Sequence, residues 1–212
     1  MTKPGSVLLE LQYFPPLPYF AMLAKYETVW IEQHEHYVKG SYRNRCHIAA
    51  VNGVQRLSVP LRKGKNQQQP IREVRIAYDE PWQAQLWQAI QSAYGNSPFF
   101  EHYADFYQPF FRQKFEFLFD LNYELLVLTL RLLRLRCRLS LTESYQQTPP
   151  EGIEDFRQVV HPKNAPGQGV SPFRYPQVFE DRHGFLPNLC ILDLLFCCGN
   201  EAGNVLNQII VK

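Results

Sequence analysis

The sequence has no CxxC pair and no Cys/His spacing of the kind that holds a structural metal. Its five cysteines make no even framework, and Cys197 and Cys198 are adjacent, which makes their mutual pairing geometrically awkward. The pattern fits free thiols, mostly buried, in a reducing cytoplasmic setting. Excess charge of either sign is missing too. Lysines and arginines number 22 against 20 aspartates and glutamates, a formal net charge of +2. That is too little to make nucleic acid the expected partner. Met1-Thr2-Lys3-Pro4-Gly5 lacks the apolar run of a signal peptide. The most lipid-like stretch, residues 118–135, carries Asp120, Asn122, Glu124, Arg131 and Arg134, which argues against a membrane span. No GxSxG surrounds Ser97, so that serine reads as a helix cap and not as a nucleophile.

What is present is globular: 212 residues, 45% apolar and 20% charged, enough for a sizeable core. The chain reads as a single domain over residues 1–212, of α/β class. The expected architecture is a short Rossmann-like parallel sheet with a β-hairpin and several packing helices. Val7–Leu11 reads as a buried strand that ends at the prolines of 15–18. Tyr19–Tyr26 reads as a helix and Thr28–Glu32 as a second strand, together a βαβ unit. Cys46–Val51 and Gln55–Val59 flank Asn52-Gly53, a strong hairpin signal. Lys63–Pro70 reads as a polar loop and Ile71–Ala77 as a strand.

Asp79 is the expected cap of a helix carrying Trp82, Leu86, Ile90 and Tyr94, closed by Gly95-Asn96. Ser97 would open a second helix over about 98–112. Apolar residues at 118, 121, 125, 128, 132 and 135 read as a core helix, with a coiled-coil dimer seam as the alternative. Leu139–Thr142 and Gln177–Phe179 read as strands, and residues 146–169 as a long loop. Asn188 is the expected cap of an apolar helix over Leu189–Cys198, with Gly199 at its end.

The chemistry concentrates in two adjacent blocks. Lys39-Gly40-Ser41-Tyr42-Arg43-Asn44-Arg45 holds three cations, an amide and an aromatic hydroxyl. Arginine presents a planar fork that matches phosphate or carboxylate, and lysine adds a point charge. On an extended segment Arg43 and Arg45 would share a face; on a turn they would not. The same cations would equally make a solvated loop, or pair with Glu32 and Glu35. The preceding block is Glu32-Gln33-His34-Glu35-His36. Glu32 closes the second strand, and open parallel sheets bind ligands beyond the carboxyl ends of their strands. His36 beside a carboxylate has the makings of a general base, or of an ordinary polar loop residue. His34-x-His36 has the alternation of a metal pair but no third ligand in sight. Asp193 falls inside an apolar helix, where a carboxylate needs a partner; Arg43 and Arg45 are the expected ones.

Four blocks together resemble the WbqC-like protein family, and the likeness runs over about residues 7–200. They are Gln12-Tyr13-Phe14-Pro15 with Tyr19-Phe20; Glu32 through Arg45 followed by Leu57-Ser58-Val59-Pro60; Ala93-Tyr94 with Ser97-Pro98-Phe99-Phe100 after Trp82; and Phe185-Leu186-Pro187-Asn188 through Phe196. Family members often carry serine where this chain has Cys190, and asparagine where it has Cys197 or Cys198. The resemblance implies a transferase-like role in bacterial surface-polysaccharide (O-antigen) precursor metabolism, on a phosphorylated or nucleotide-linked substrate such as a nucleotide sugar. It names no cofactor. A non-catalytic binding or scaffold protein with the same anion pocket is the other reading. The strand–loop–helix opening is also similar to that of HIGH-motif nucleotidyltransferases, but Tyr19-Phe20 replaces their Gly-His.

The expected partner is a small anionic substrate. Lys39, Arg43 and Arg45 would hold its anion; Gln12 and Asn44 would orient it; Tyr13, Tyr37 and Tyr42 would wall it. Glu32, Glu35 or His36 would supply a base, and Asp193 would tie the carboxyl-terminal helix to the site.

Overall fold

A computed structural model describes residues 5–62, 69–164, 170–171 and 173–211. Its centre is a four-stranded, all-parallel sheet of order β5-β2-β1-β6. Strands β1 (Ser6–Glu10) and β2 (Thr28–Glu32) flank helix α1 (Leu17–Lys25), forming the βαβ unit expected from the sequence. Strands β5 (Arg138–Leu141) and β6 (Ile153–Asp155) form the two edges. Between β2 and β5 the chain makes an antiparallel hairpin, β3 (Arg45–Ala50) and β4 (Gly53–Ser58), turning at Asn52-Gly53 with Gly53 at φ +104°. It then forms helices α2 (Trp82–Tyr94), α3 (Phe100–Tyr107) and α4 (Leu118–Leu132). After β6 come α5 (Glu180–His183), α6 (Ile191–Cys198) and α7 (Ala202–Gln208).

Helix α1 is buried from Leu17 through Ala24, because the sheet lies on one side of it and α6 and α7 pack on the other. On α4, Leu118, Leu121, Leu125 and Leu128 are all buried within the same core as α1. The heptad-like spacing therefore serves a core helix. Among the described residues no helix is long and apolar enough to cross a membrane.

Several local expectations are corrected. Ile71–Ala77 is not a strand: Ile71–Glu73 is a 3₁₀ turn, and Arg75 and Ile76 make single bridges to Phe117 and Leu61. The three-residue step from Ile71 to Val74 buries both side chains through that turn. Gln177–Phe179 is not a strand either, because the Gln177 side-chain amide bonds both backbone groups of Leu186 and replaces a ladder partner. The long loop over 146–169 contains β6, whose one apolar residue in three hid it; residues 165–169 lie outside the described residues, as do 63–68 of the polar loop.

The expected side-chain caps do not form. Pro81, Phe99 and Cys190 stand at the starts of α2, α3 and α6. The Ser97 hydroxyl donates back to the Tyr94 carbonyl instead. Asn188 takes a left-handed φ of +59°, which asparagine tolerates, ahead of the helix start at Ile191.

Candidate functional site

The parallel sheet has two unlike faces. Side chains alternate along each strand, so residues matched in register share a face. Val7, Val29 and Leu139 form one row, and Leu9, Ile31 and Leu141 the next; both rows belong to the core around α1. The opposite face carries Leu8 beside Trp30 and Ser140, with Asp155 on the edge strand. Glu10 stands beside Glu32 one step further along. Parallel sheets usually bury apolar residues on both faces under helices. Here the second face is polar, and the irregular segment 142–152 crosses it.

Glu10 and Glu32 end their strands at the carboxyl rim, 1% and 0% exposed. Each carboxylate is held by donors. Glu10 accepts from the Gln12 side chain (2.8 Å) and the Gln158 amide (2.9 Å). Glu32 accepts from the His34 amide (2.9 Å) and the Thr142 hydroxyl (2.8 Å), with Arg157 at 3.5 Å. Arg157 also grips Asp155 through two nitrogens, bonds the carbonyls of Gln146 and Gln147, and lies over the Tyr145 ring. Burial pushes the Asp155 carboxyl up, but the Arg157 hydrogen bonds outweigh it and leave the group below its ordinary range.

Next to this pair lies a second one. Arg43 is 0% exposed and meets Glu35 through both its Nε (2.8 Å) and Nη2 (2.5 Å). Asn122 on α4 donates to the Arg43 carbonyl, and the Tyr13 amide donates to the Tyr42 carbonyl, so the segment is pinned from two sides. Burial raises the Glu35 carboxyl above its ordinary value against the pull of Arg43. The contact is bidentate, the strongest geometry for a carboxylate on a guanidinium. Among the described residues, Arg43 Nη1, Arg45 Nε and Gln12 Oε1 are buried without a hydrogen-bond partner.

His161 completes the cluster. Its half-buried ring is pushed below the usual histidine range by burial and by the charges of Arg43, Lys163 and Arg45, against the pull of Glu10. Its Nδ1 accepts the Lys163 amide (3.1 Å), so in the neutral ring the proton sits on Nε2. In that tautomer Nε2 is a hydrogen-bond donor and not a base.

The structure thus brings Gln12, Glu32, Glu35, Tyr37, Arg43 and Arg45 to one region. Tyr37 donates to Asn44 Oδ1, and the Asn44 amide donates to the Val59 carbonyl, which ties the segment to the hairpin. Lys39 and His36 are exposed: alternation turns Glu35 and Tyr37 inward and His36 outward. His34 is exposed as well, its ring at the Thr142 carbonyl. Among the described residues no three His, Cys, Asp or Glu side chains gather as a metal site.

Tyr13 and Tyr42 point into the core. Burial, and then the neighbouring Cys46 and Cys190, raise both hydroxyls, Tyr42 to about 12. Asp193 makes no ion pair with Arg43 or Arg45, contrary to expectation. Its Oδ2 accepts from Tyr175 (2.6 Å) and Gln177 (3.2 Å), neutral donors that reach it first. Burial raises its carboxyl to about 6.

Sequence reasoning missed Glu10, Thr142, Arg157 and His161. Glu10 carried a usable signal, a lone acid closing an apolar strand. His161 carried none, since it sits in a proline- and glycine-rich stretch without periodicity.

The amino-terminal end of α1, where a Rossmann-like fold ordinarily seats phosphate, is blocked. Positions 15, 16 and 18 are prolines without an N–H. The Ile191 amide donates to the Pro15 carbonyl, and Cys190 bridges to Pro16, so carboxyl-terminal chain covers this end.

Comparison with known proteins adds a family but no activity. No solved structure matches this chain. The chain is 25% identical to "Uncharacterized protein Rv1507c" of Mycobacterium tuberculosis, over 94% of this chain and 96% of that protein. The family model described as "WbqC-like protein family" matches residues 12–162, from the Gln12 rim through His161. The chain belongs to the WbqC-like protein family.

Proposed function

We propose that this protein binds a phosphorylated or nucleotide-linked precursor of a bacterial surface glycan at the carboxyl rim of its parallel sheet, and transfers a group to or from it. The observation that carries this reading is the set of unpartnered polar atoms there. Buried N–H groups without acceptors are costly, and Arg43 Nη1 and Arg45 Nε are two such donors, near His161. An anionic oxygen placed among them would satisfy both, with the His161 Nε2–H as a third donor. Gln12 Oε1 offers an acceptor to a ligand hydroxyl. Of the carboxylates expected as a base, Glu32 lies at the rim and lacks the bidentate guanidinium contact that commits Glu35 to Arg43. Five free thiols support a reducing, cytoplasmic setting.

A second reading, binding without turnover, is favoured by one observation. Of the three bases expected from the sequence, Glu35 is locked in an ion pair and His36 faces solvent.

Calorimetric titration with nucleotides, nucleotide sugars and sugar phosphates tests binding. The expected result is saturable binding of a phosphorylated sugar, weakened tenfold or more by Arg45→Ala. No binding across the panel, with an Arg45→Ala protein indistinguishable from the parent, overturns the anion-site reading. Binding without any turnover of the bound sugar selects the second reading.

A further inference from the structure

Beside the rim cluster, and sharing only Glu32 with it, the second face of the sheet holds a further pocket. It has a volume of about 290 Å³ and lies between the sheet and the crossing segment 142–150. Its floor is Leu8 and Trp30, adjacent in register. Its roof is Pro149 and Pro150, and Glu32 and Ser144 stand at its polar side. We propose that this pocket is a pyranose subsite, the place where the neutral sugar ring of the substrate lies.

Three observations converge. The first is the floor. Trp30 is half-buried and, like Leu8, stands outside the core that gathers around α1. Its indole is a flat apolar surface at the bottom of an open pocket, suited to the C–H face of a sugar ring. The second is the chemistry of the wall. Besides Glu32 and Ser144 it has Thr142 and Glu143, and among the described residues no lysine or arginine lines it. Glu143 and Ser144 are exposed and offer acceptors to ligand hydroxyls, and the Glu143 carboxylate disfavours an anion there. The third is size. The pocket falls at the lower edge of the roughly 300–1,000 Å³ typical of ligand sites, room for one ring and not for a nucleotide.

The subsite adjoins the rim through Glu32, which lines the pocket and meets Arg157 at the same time. A substrate with its anion near Arg45 and its sugar over Trp30 would pass Glu32 between them. The inference deepens the glycan-precursor reading and rests on it for the sugar's place in a reaction.

The test uses the whole chain and neutral methyl glycosides, which carry no anion. The protein has three tryptophans, and Trp82 and Trp87 are buried. Each gives one indole N–H signal in a ¹H–¹⁵N spectrum, and the Trp30 signal is the one lost in Trp30→Phe. Methyl pyranosides of hexoses, 6-deoxyhexoses and N-acetylhexosamines are titrated to tens of millimolar. The expected result is a saturable shift of the Trp30 signal with at least one glycoside, the other two signals staying in place. Ser144→Val, on the exposed segment and harmless to folding, should weaken that binding tenfold or more. No shift with any glycoside overturns the subsite, as does a Trp30 shift with free nucleobases and not with glycosides. Glycoside binding that survives Arg45→Ala, in a protein that binds no phosphorylated sugar, leaves the subsite standing and removes only the anion site.

Discussion

Glu10 and Glu32 occupy matched positions on neighbouring parallel strands, both out of solvent, and no donor given to one is shared with the other. Adjacent strands lie about 4.8 Å apart, so two carboxylates at one register repel. Separate sets of donors hold them in place. Glu10→Gln removes the repulsion while keeping an acceptor for the Gln158 amide. It should raise stability by about 1 kcal/mol, read as a higher urea midpoint with an unchanged slope.

The Arg43–Glu35 pair behaves in the opposite sense. Glu35→Gln leaves a guanidinium fully buried without an anion, and should cost about 3–5 kcal/mol. Urea denaturation measures it. The double variant Arg43→Met with Glu35→Leu should recover most of that loss while abolishing anion binding. A single variant as stable as the parent would show that the pair carries no structural weight.

Asp193 makes stability depend on pH. Its carboxyl titrates near 6 in the folded chain against an ordinary value of 3.8. The folded state therefore holds its proton more tightly than the unfolded state. Its contribution is fully present below about pH 4 and is lost as pH rises through 6, a fall of about 3 kcal/mol. Asp193→Asn should flatten that part of the stability profile between pH 4 and 7, measured by denaturant midpoints at each pH. An unchanged profile would assign the fall to other groups.

Arg157 is the anchor of the segment over the polar face, binding the Gln146 and Gln147 carbonyls (2.9 and 3.1 Å) and Asp155 at once. Arg157→Ala should cost about 2 kcal/mol and speed proteolytic cleavage between residues 143 and 150. Arg157→Lys should rescue little, because an ammonium cannot reproduce the fork. Cleavage at the parent rate in both variants would show that the segment is held elsewhere.

Gly199 ends α6 at φ +55°, and a Cβ there would run into the Phe99 ring. Backbone strain and overpacking act together, so Gly199→Ala should lose about 2–4 kcal/mol. Thermal unfolding would show it, and a loss under 1 kcal/mol would mean that Phe99 moves aside freely.

Much of the fold was legible because it rests on local signals. The βαβ opening follows from two apolar runs around a proline stop and a short helix, and Asn52-Gly53 placed the hairpin turn. Two caps were misread because Ser97 and Asn188 have other uses: Ser97 bonds its own helix end, and Asn188 accepts a left-handed bend. Strand β6 was invisible, since three residues with one apolar side chain carry no periodicity. Only β1's free edge makes them a strand.

The sequence by itself determined the class of the fold, the family and the chemical character of the 32–45 block, because spacing and residue type act over a few positions. It could not decide which charges meet. Tertiary structure alone placed Glu35 on Arg43, turned His36 to solvent, gave Asp193 neutral partners and carried His161 across more than a hundred residues to the arginines. Charge pairing depends on distance in space, and the parallel crossovers that set those distances are the least local feature of this chain.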